Sequence, residues 1–530
     1  MVNGNINTPR KNDAGSNVPP RNDSILQGFE WYCPADHRHW KRLQDELPSL
    51  RKLGIKCIWI PPACKAFGKD STGYDTYDLY DLGEFKQHAQ VGTKYGTKAQ
   101  LLSLAKAAED QRISITFDVV INHKAGADRC EDVDAVQVDQ MNRLLKISDV
   151  EHIGAWTGFD YAARSGEYST FKWNKSHFSG VDYNQKTGGT AIWKFEGKEW
   201  AEDASSERGS FDYLMFANID HSNEDVRREL LSWVEWLGHQ LPLGGLRLDA
   251  IKHMSKSFVK LFVEHVFKTL GQHIQIVGEY WTTDSHLLAS YIEYMDHKVS
   301  LYDIKLVHTF RDLSWAQEPD LRTVFEGSLA SMKPRQSITL VVNHDTQEGQ
   351  KSQTLVSPWF IPLAYALILL RANFGTPCVF YGDLYGSFGP LGPRRAGTFE
   401  PPVAAQLVAK MLLARRYYAY GPEELYLDRR DCIGFTRRGH RGHSENAGLA
   451  VLLTSADEAM TNTMRVGAEH AGERWTDILG NADGEVVIDP LGWAIFSVGP
   501  RSVSVWADSD AVGREGMEGF VFNEEIYGCS

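Results

Sequence analysis

Four acidic residues each close an apolar, strand-like run: Asp118 in FDVVINH, Asp249 in GLRLDAIKH, Glu279 in IVGEYW and Asp345 in LVVNHDTQ, and a further run of this kind ends in VFYGD. Catalytic side chains of an alternating strand-helix barrel collect at the carboxyl ends of several strands, so acids far apart in sequence can meet at one bond. In GLRLDAIKH the two-residue period of a strand puts Arg247 and Asp249 on one face. The adjacent cation is expected to keep Asp249 ionised, as a nucleophile requires. Its partner acid must stay protonated near neutrality, which desolvation and neighbouring carboxylates provide, and Glu279, after Gly278 at the end of an apolar strand, suits that role. Such a pair is the equipment for cleaving a glycosidic bond with retention, which requires two carboxyl groups ~5–5.5 Å apart. Asp345 would be a third acid, fixing sugar hydroxyls. Taken singly, each has a structural reading: Arg247 and Asp249 as an ion pair, Asn343-His344-Asp345 as a helix cap. Their recurrence at successive strand ends favours the chemical reading.

The elements that must position these acids are visible in the apolar rhythm. From Ser24 to Ile121, ILQGFEWY, a helical stretch His39 to Leu53, CIWIPP, a helical stretch Lys98 to Asp110 and ISITFDVVI alternate, implying parallel strands. After His123 the rhythm fails for about a hundred residues, until FANID and a helix from Asn223 to His239; structureless loops of that length are rare, so a small inserted domain is expected. The rhythm then resumes at GGLRLDAIKH, QIVGEYW, the Val299 to Leu306 segment, SITLVVNHD and PCVFYGD, completing eight strands. Beyond Arg416 short alternating runs with Gly-rich turns indicate an antiparallel all-β module. The boundaries expected are a leader at 1–23, a barrel at 24–122 and 223–415, an insertion at 123–222, a β module at 416–507 and an acidic tail at 508–530. The tail carries one apolar stretch, GFVFNEEIYG, without an assigned role.

A chain of 530 residues exceeds one core, as these boundaries require. The net charge of -13, with no basic stripe among the aromatics, argues against nucleic acid as a partner. Fifteen tryptophans and twenty-one tyrosines suit a cleft for a flat, hydroxyl-rich ligand, although core packing accounts for most of them. The longest apolar run, Trp359 to Leu370, contains Pro362 and is far shorter than the ~20 residues of a spanning helix; it is expected to be a buried barrel helix, with no membrane partner. The amino terminus has no apolar h-region and reads as a disordered leader. Seven cysteines without a C-x-x-C pair fit reduced thiols, hence a cytoplasmic protein, expected to act as a monomer.

DVVINHK, GLRLDAIKH, GEYW and NHDTQ resemble, in order and spacing, the four signature regions of the alpha-amylase family of glycoside hydrolases. FEWY, HWKRLQ, GYDTYDLYDLGEF, FDYLMFANID, PLAYALILLR and VFYGD are further similar to its liquefying bacterial members, over nearly all of Ile25 to Ala507; the missing signal peptide and odd cysteine count resemble its intracellular fungal branch. The resemblance implies an α/β fold: a (β/α)8 TIM barrel, a small β-rich domain inserted after strand 3 and a C-terminal antiparallel β-sandwich. It implies Asp249 as nucleophile, Glu279 as general acid/base and Asp345 as transition-state stabiliser, with Arg247 orienting Asp249 and Asp118 supporting the site. His123 and His344 would hydrogen-bond the sugar, Tyr74 and Trp281 would stack on sugars, Lys252 and His253 would line the leaving-group side, and Trp31 is a further candidate. The family also binds Ca2+ between barrel and insertion, and the matching ligands are Asn122, Asp212, Asn218 and the carbonyl of His253. Where bacterial members use acids to build a multi-metal cluster, this chain has Asn218, Thr170 and Ala201, so one calcium is expected. The activity implied is endo-hydrolysis of α-1,4 bonds in starch, glycogen or maltodextrin. The alternatives are a 4-α-glucanotransferase with the same chemistry, or a non-catalytic glucan-binding or scaffold protein, a kind expected to lose its acids and to carry a membrane helix.

Overall fold

The computed structural model describes residues 22–390, 399–440, 447–517 and 519–527. Eight parallel strands close into a barrel, in chain order Ile25–Gln27, Cys57–Trp59, Ser114–Val119, Leu243–Leu248, Gln275–Gly278, Ser300–Tyr302, Ser337–Leu340 and Thr376–Phe380. The first strand pairs with both the second and the eighth, Leu26 opposing Ile58 on one side and Val379 on the other. Of the Val299 to Leu306 segment only Ser300–Tyr302 is strand, because Asp303 caps a helix at Ile304–Trp315 by accepting from the Leu306 amide.

The helices form where the sequence signals them. His39–Leu53 buries Trp40, Leu43, Leu47 and Leu50 along one face and ends at Gly54, whose φ of 89° supplies the left-handed cap that a side chain would resist. Lys98–Asp110 starts in a capping box between Thr97 and Gln100, and Glu224–Gln240 starts at Asn223, whose side chain accepts from two backbone amides. Ile361–Leu370 lies inside the molecule, buried around almost its whole circumference, as its uninterrupted apolar run requires.

The insertion after the third strand is a six-stranded antiparallel sheet, ordered His123–Lys124, Ala217–Ile219, Phe178–Asn184, Gly189–Phe195, Arg129–Val138 and Glu151–Gly158. Its first two strands, Asn218 opposite His123, return the chain to the barrel rim. The C-terminal module places a six-stranded and a two-stranded antiparallel sheet around a second core of Trp475, Trp506, Phe496 and Met464. Residues 1–21 of the expected leader lie outside the described residues, but Asn22 belongs to the body: its side-chain amide donates to the carbonyls of Arg415 and Ala419. Among the described residues no helix is long and apolar enough to cross a membrane. The six described cysteines are free thiols, all buried except Cys130.

Candidate active site

The register of the third, fourth and fifth strands sets the chemistry. Arg247 lies level with Asp118 on one side and with Val277 on the other. Its guanidinium is buried beneath the strand ends and donates to Asp118 at 2.8 Å and to Asp249 at 2.6 Å, with Glu279 at 3.2 Å. Asp118 also accepts from the Trp59 indole and the Tyr74 hydroxyl, both at 2.9 Å, which fixes the Tyr74 ring above it.

The backbone after Asp249 is bent to serve Glu279. Ala250 sits at φ 52°, a left-handed conformation uncommon for a residue with a Cβ. The bend aims the Ala250 amide at the Glu279 carboxylate, 2.9 Å away, and lets the Ile251 amide bond the Glu279 carbonyl. Gly278 is crowded next to it, since a Cβ there would stand 2.4 Å from Ile251 Cδ1 and the Ile251 side chain would have to shift.

Beyond the seventh strand, Asn343 does form a cap, accepting from the amides of Asp345 and Thr346, but it caps a turn and no helix follows. That turn presents His344 and Asp345 side by side, His344 Nε2 being 3.4 Å from the Asp345 carboxylate, while Gln27 holds the other imidazole nitrogen at 3.1 Å. The rings of Trp31, Tyr74 and His344 are parallel to within 5° at centroid separations of 5.2–6.1 Å. They form a flat wall suited to the face of a pyranose.

These groups line a cleft of about 250 Å³. Asp249, Glu279, Asp345 and the rings of Trp31, Tyr74 and His344 line it, and His123, Lys252, His253 and Trp281 complete the expected lining. Asp118 and Arg247 are brought to the same place but lie underneath, buried. His123 spends its nitrogens on protein, one bonding the Tyr74 carbonyl at 2.7 Å and the other lying 3.3 Å from Asn122 Oδ1. Lys252 donates to the Trp281 carbonyl and pairs with Glu207, so it braces the Trp281 segment. Leu214, Met215, Ala250 and Ser352 also line the cleft and were not expected; being apolar or small, they carry no chemical signature. Trp59, which ends a strand as the acids do, was legible by the same strand-end rule.

Arg247 acts on Asp249 against the effect of burial. Burial pushes the Asp249 carboxyl well above its ordinary range, and Arg247 opposes that shift while Glu279 and Asp118 add to it. One guanidinium serving three carboxylates cannot neutralise each of them. Burial likewise raises Asp345 to about 7, with Glu279 contributing. Arg247 itself is held firmly charged: burial disfavours its charge, but Asp118, Glu279 and Asp249 outweigh that. Burial lowers His123 to about 4, so this imidazole is neutral.

The residues expected to hold calcium converge where the insertion meets the barrel. Asn122 Nδ2 donates to the His253 carbonyl at 3.0 Å, the Ile219 amide bonds the Asn122 carbonyl, and Asn218 Nδ2 approaches Asp212 at 3.4 Å. Asn218 Oδ1 is buried and without a hydrogen-bond partner. Asp212 is buried too, and its carboxyl is raised to about 7 by that burial, with Asp220 and Asp203 adding like charge. The orphaned Asn218 oxygen and the Asp212 carboxylate beside it are oxygen donors of the kind a hard divalent cation takes. Among the described residues no group of three or more His, Cys, Asp or Glu side chains could hold a metal.

The comparisons agree with this geometry. Residues 35–409 match the family model described as alpha amylase, catalytic domain, and residues 449–507 match the alpha-amylase C-terminal model. The chain is 42% identical over 499 residues to the alpha-amylase of Bacillus licheniformis, covering 94% of this chain and 95% of that one. It is 38% identical over 500 residues to the cytoplasmic alpha-amylase of Escherichia coli strain K12, covering 93% and 100%. The fold matches the crystal structure of an Anoxybacillus alpha-amylase with a TM-score of 0.61 at 17% identity, over 92% of this chain and 96% of that one. With both family models matched in chain order and the strand-end acids gathered around one guanidinium, this chain belongs to the alpha-amylase family of glycoside hydrolases.

Proposed function

We propose that the chain is a retaining, endo-acting alpha-amylase that cuts internal α-1,4 bonds of starch, glycogen or maltodextrins. The observation that carries this reading is the Arg247 fork, which holds Asp249 on one nitrogen and Glu279 on the next at 2.6 and 3.2 Å. Carboxylates gathered on one guanidinium suit the separation of about 5 Å of a retaining pair better than the 6.5–9.5 Å that leaves room for an inverting water.

A glucan chain lies along the three-ring wall with the bond to be cut above Asp249. Glu279 protonates the leaving glycosidic oxygen as Asp249 attacks the anomeric carbon, giving a covalent glycosyl-enzyme. Glu279, now the base, takes a proton from water, which displaces Asp249. Asp345 and His344 grip the hydroxyls of the sugar being distorted, and Arg247 stabilises the charge that returns to Asp249. Asn122, Asp212, Asn218 and the His253 carbonyl would hold one calcium ion, which when bound clamps the insertion to the barrel. His123, bonded to the Tyr74 carbonyl and next to Asn122 in the chain, links that clamp to the sugar wall. The buried free thiols and the likeness to a cytoplasmic relative support an intracellular setting, and we take the working form to be a monomer.

The test is a time course of products from reducing-end-labelled maltoheptaose, run beside Glu279→Gln and resolved by mass. Only shorter products of α-configuration, from internal bonds, are expected. Products longer than the substrate would establish glucanotransfer instead, and no turnover with added calcium would overturn the catalytic reading.

A further inference from the structure

The last strand of the C-terminal module ends at Asp508, and both matched family models stop by residue 507. The tail beyond it runs back over the barrel. The Tyr418 hydroxyl donates to the Val512 carbonyl, and the Gln406 side chain bonds both the amide and the carbonyl of Phe522, each at 2.8 Å. Phe522 and Ile526 are buried against the barrel core, and Lys52 lies over the Phe520 ring. The tail delivers Tyr527, whose ring meets Phe388 at 4.9 Å and Tyr381 at 6.4 Å, with the Arg42 guanidinium 5.1 Å from its centroid.

Tyr527 thereby abuts a buried polar cradle behind the sugar wall. The Phe388 amide donates to Glu30 Oε1 at 3.4 Å, and Glu30 Oε2 accepts from the Tyr32 amide and from Gln347 Nε2. Gln347 Oε1 accepts from the Trp31 amide at 2.8 Å, and Lys94 Nζ donates to the Trp31 carbonyl at 3.0 Å. Both backbone groups of Trp31 are therefore held by side chains, and Gln347 stands two residues after Asp345. A partly buried ring packed behind this network limits the positions open to Phe388, and through Glu30 and Gln347 those open to Trp31.

We propose that the tail is part of the substrate-binding scaffold, with Tyr527 a positioning residue that fixes Trp31 through Phe388, Glu30 and Gln347. The inference rests on Trp31 being a sugar platform, as read above. Its action is on binding: Trp31 is held where a glucan stacks, so loss of Tyr527 weakens productive binding while the acids keep their geometry. The ring, packed on three sides, carries the effect, so a phenyl group suffices.

The experiment is a double-mutant cycle in the full-length protein, reading KM and kcat on maltoheptaose together with the melting temperature. Tyr527→Ala is expected to raise KM about five- to tenfold with kcat within about twofold, and Tyr527→Phe to restore KM. In a Trp31→Ala background, Tyr527→Ala should raise KM no further. An unchanged KM for Tyr527→Ala beside a raised KM for Trp31→Ala overturns the positioning role, as does a KM effect that survives undiminished in the Trp31→Ala background. An unchanged KM for Trp31→Ala itself removes the platform reading on which the inference stands. A lowered melting temperature without a KM change assigns the tail to stability alone.

Discussion

Arg247 is the residue on which the site turns, because a buried guanidinium shared by Asp118, Asp249 and Glu279 leaves each carboxylate only partly compensated. Asp249→Asn and Glu279→Gln keep the shape but remove the proposed nucleophile and proton donor. Each should lower kcat by about 10³-fold or more without loss of melting temperature, measured on the same maltoheptaose substrate. The pH dependence follows from Asp345, raised by burial to about 7. A carboxyl whose folded value lies above its unfolded one, near 3.9, favours folding while protonated; that contribution is complete below about pH 4 and is lost as pH rises through about 7. Asp345→Asn removes the titration, so its stability relative to wild type should improve from pH 5 to pH 8, by roughly 1–3 kcal/mol in denaturant melts. The proposed attack needs Asp249 ionised, so kcat/KM should climb with pH as that buried carboxyl loses its proton. A stability difference independent of pH would show that Asp345 does not carry the raised titration described.

At the scale of elements, the strand ends position side chains through backbone that tolerates no extra atoms. The left-handed Ala250 and the crowded Gly278 together place Glu279 against Asp249. Gly278→Ala must push Ile251 aside or displace the end of the fifth strand. A cost of about 1–3 kcal/mol is expected, with a loss of kcat greater than the loss of folded protein, read by parallel melting and single-turnover assays. Wild-type kcat in a folded Gly278→Ala variant would mean that the strand end has slack the packing does not show. The capped helices behind the barrel were legible because their signals are local: Thr97 with Gln100, Asn223 before an amphipathic run, Gly54 after one. The sixth strand was overread, since apolar character continues past Tyr302 while Asp303 turns the chain into helix.

For the whole molecule, the join between barrel and insertion governs integrity. Asn122 and His253 come from the barrel, Asp212 and Asn218 from the inserted segment, and the orphaned Asn218 oxygen marks the seam. Metal-free protein should melt several degrees lower than calcium-loaded protein, and Asp212→Asn should erase most of that difference. Coincident melting curves with and without a chelator would remove calcium from the account.

The sequence by itself determined the strand-helix rhythm, the place of the insertion, the β module and the identity of the acids, because period, caps and strand-end motifs are local properties of the chain. The resemblance of four motifs to one family added their roles. Only the tertiary structure decided how charge is shared. Arg247 and Asp249, two residues apart in sequence, read as a private ion pair; the register of three strands makes the cation common to three acids, and burial then outweighs it. The cradle behind Trp31 was equally invisible, since Glu30, Lys94, Gln347 and Tyr527 are drawn from nearly the full length of the chain and meet only when the barrel closes and the tail folds back across it.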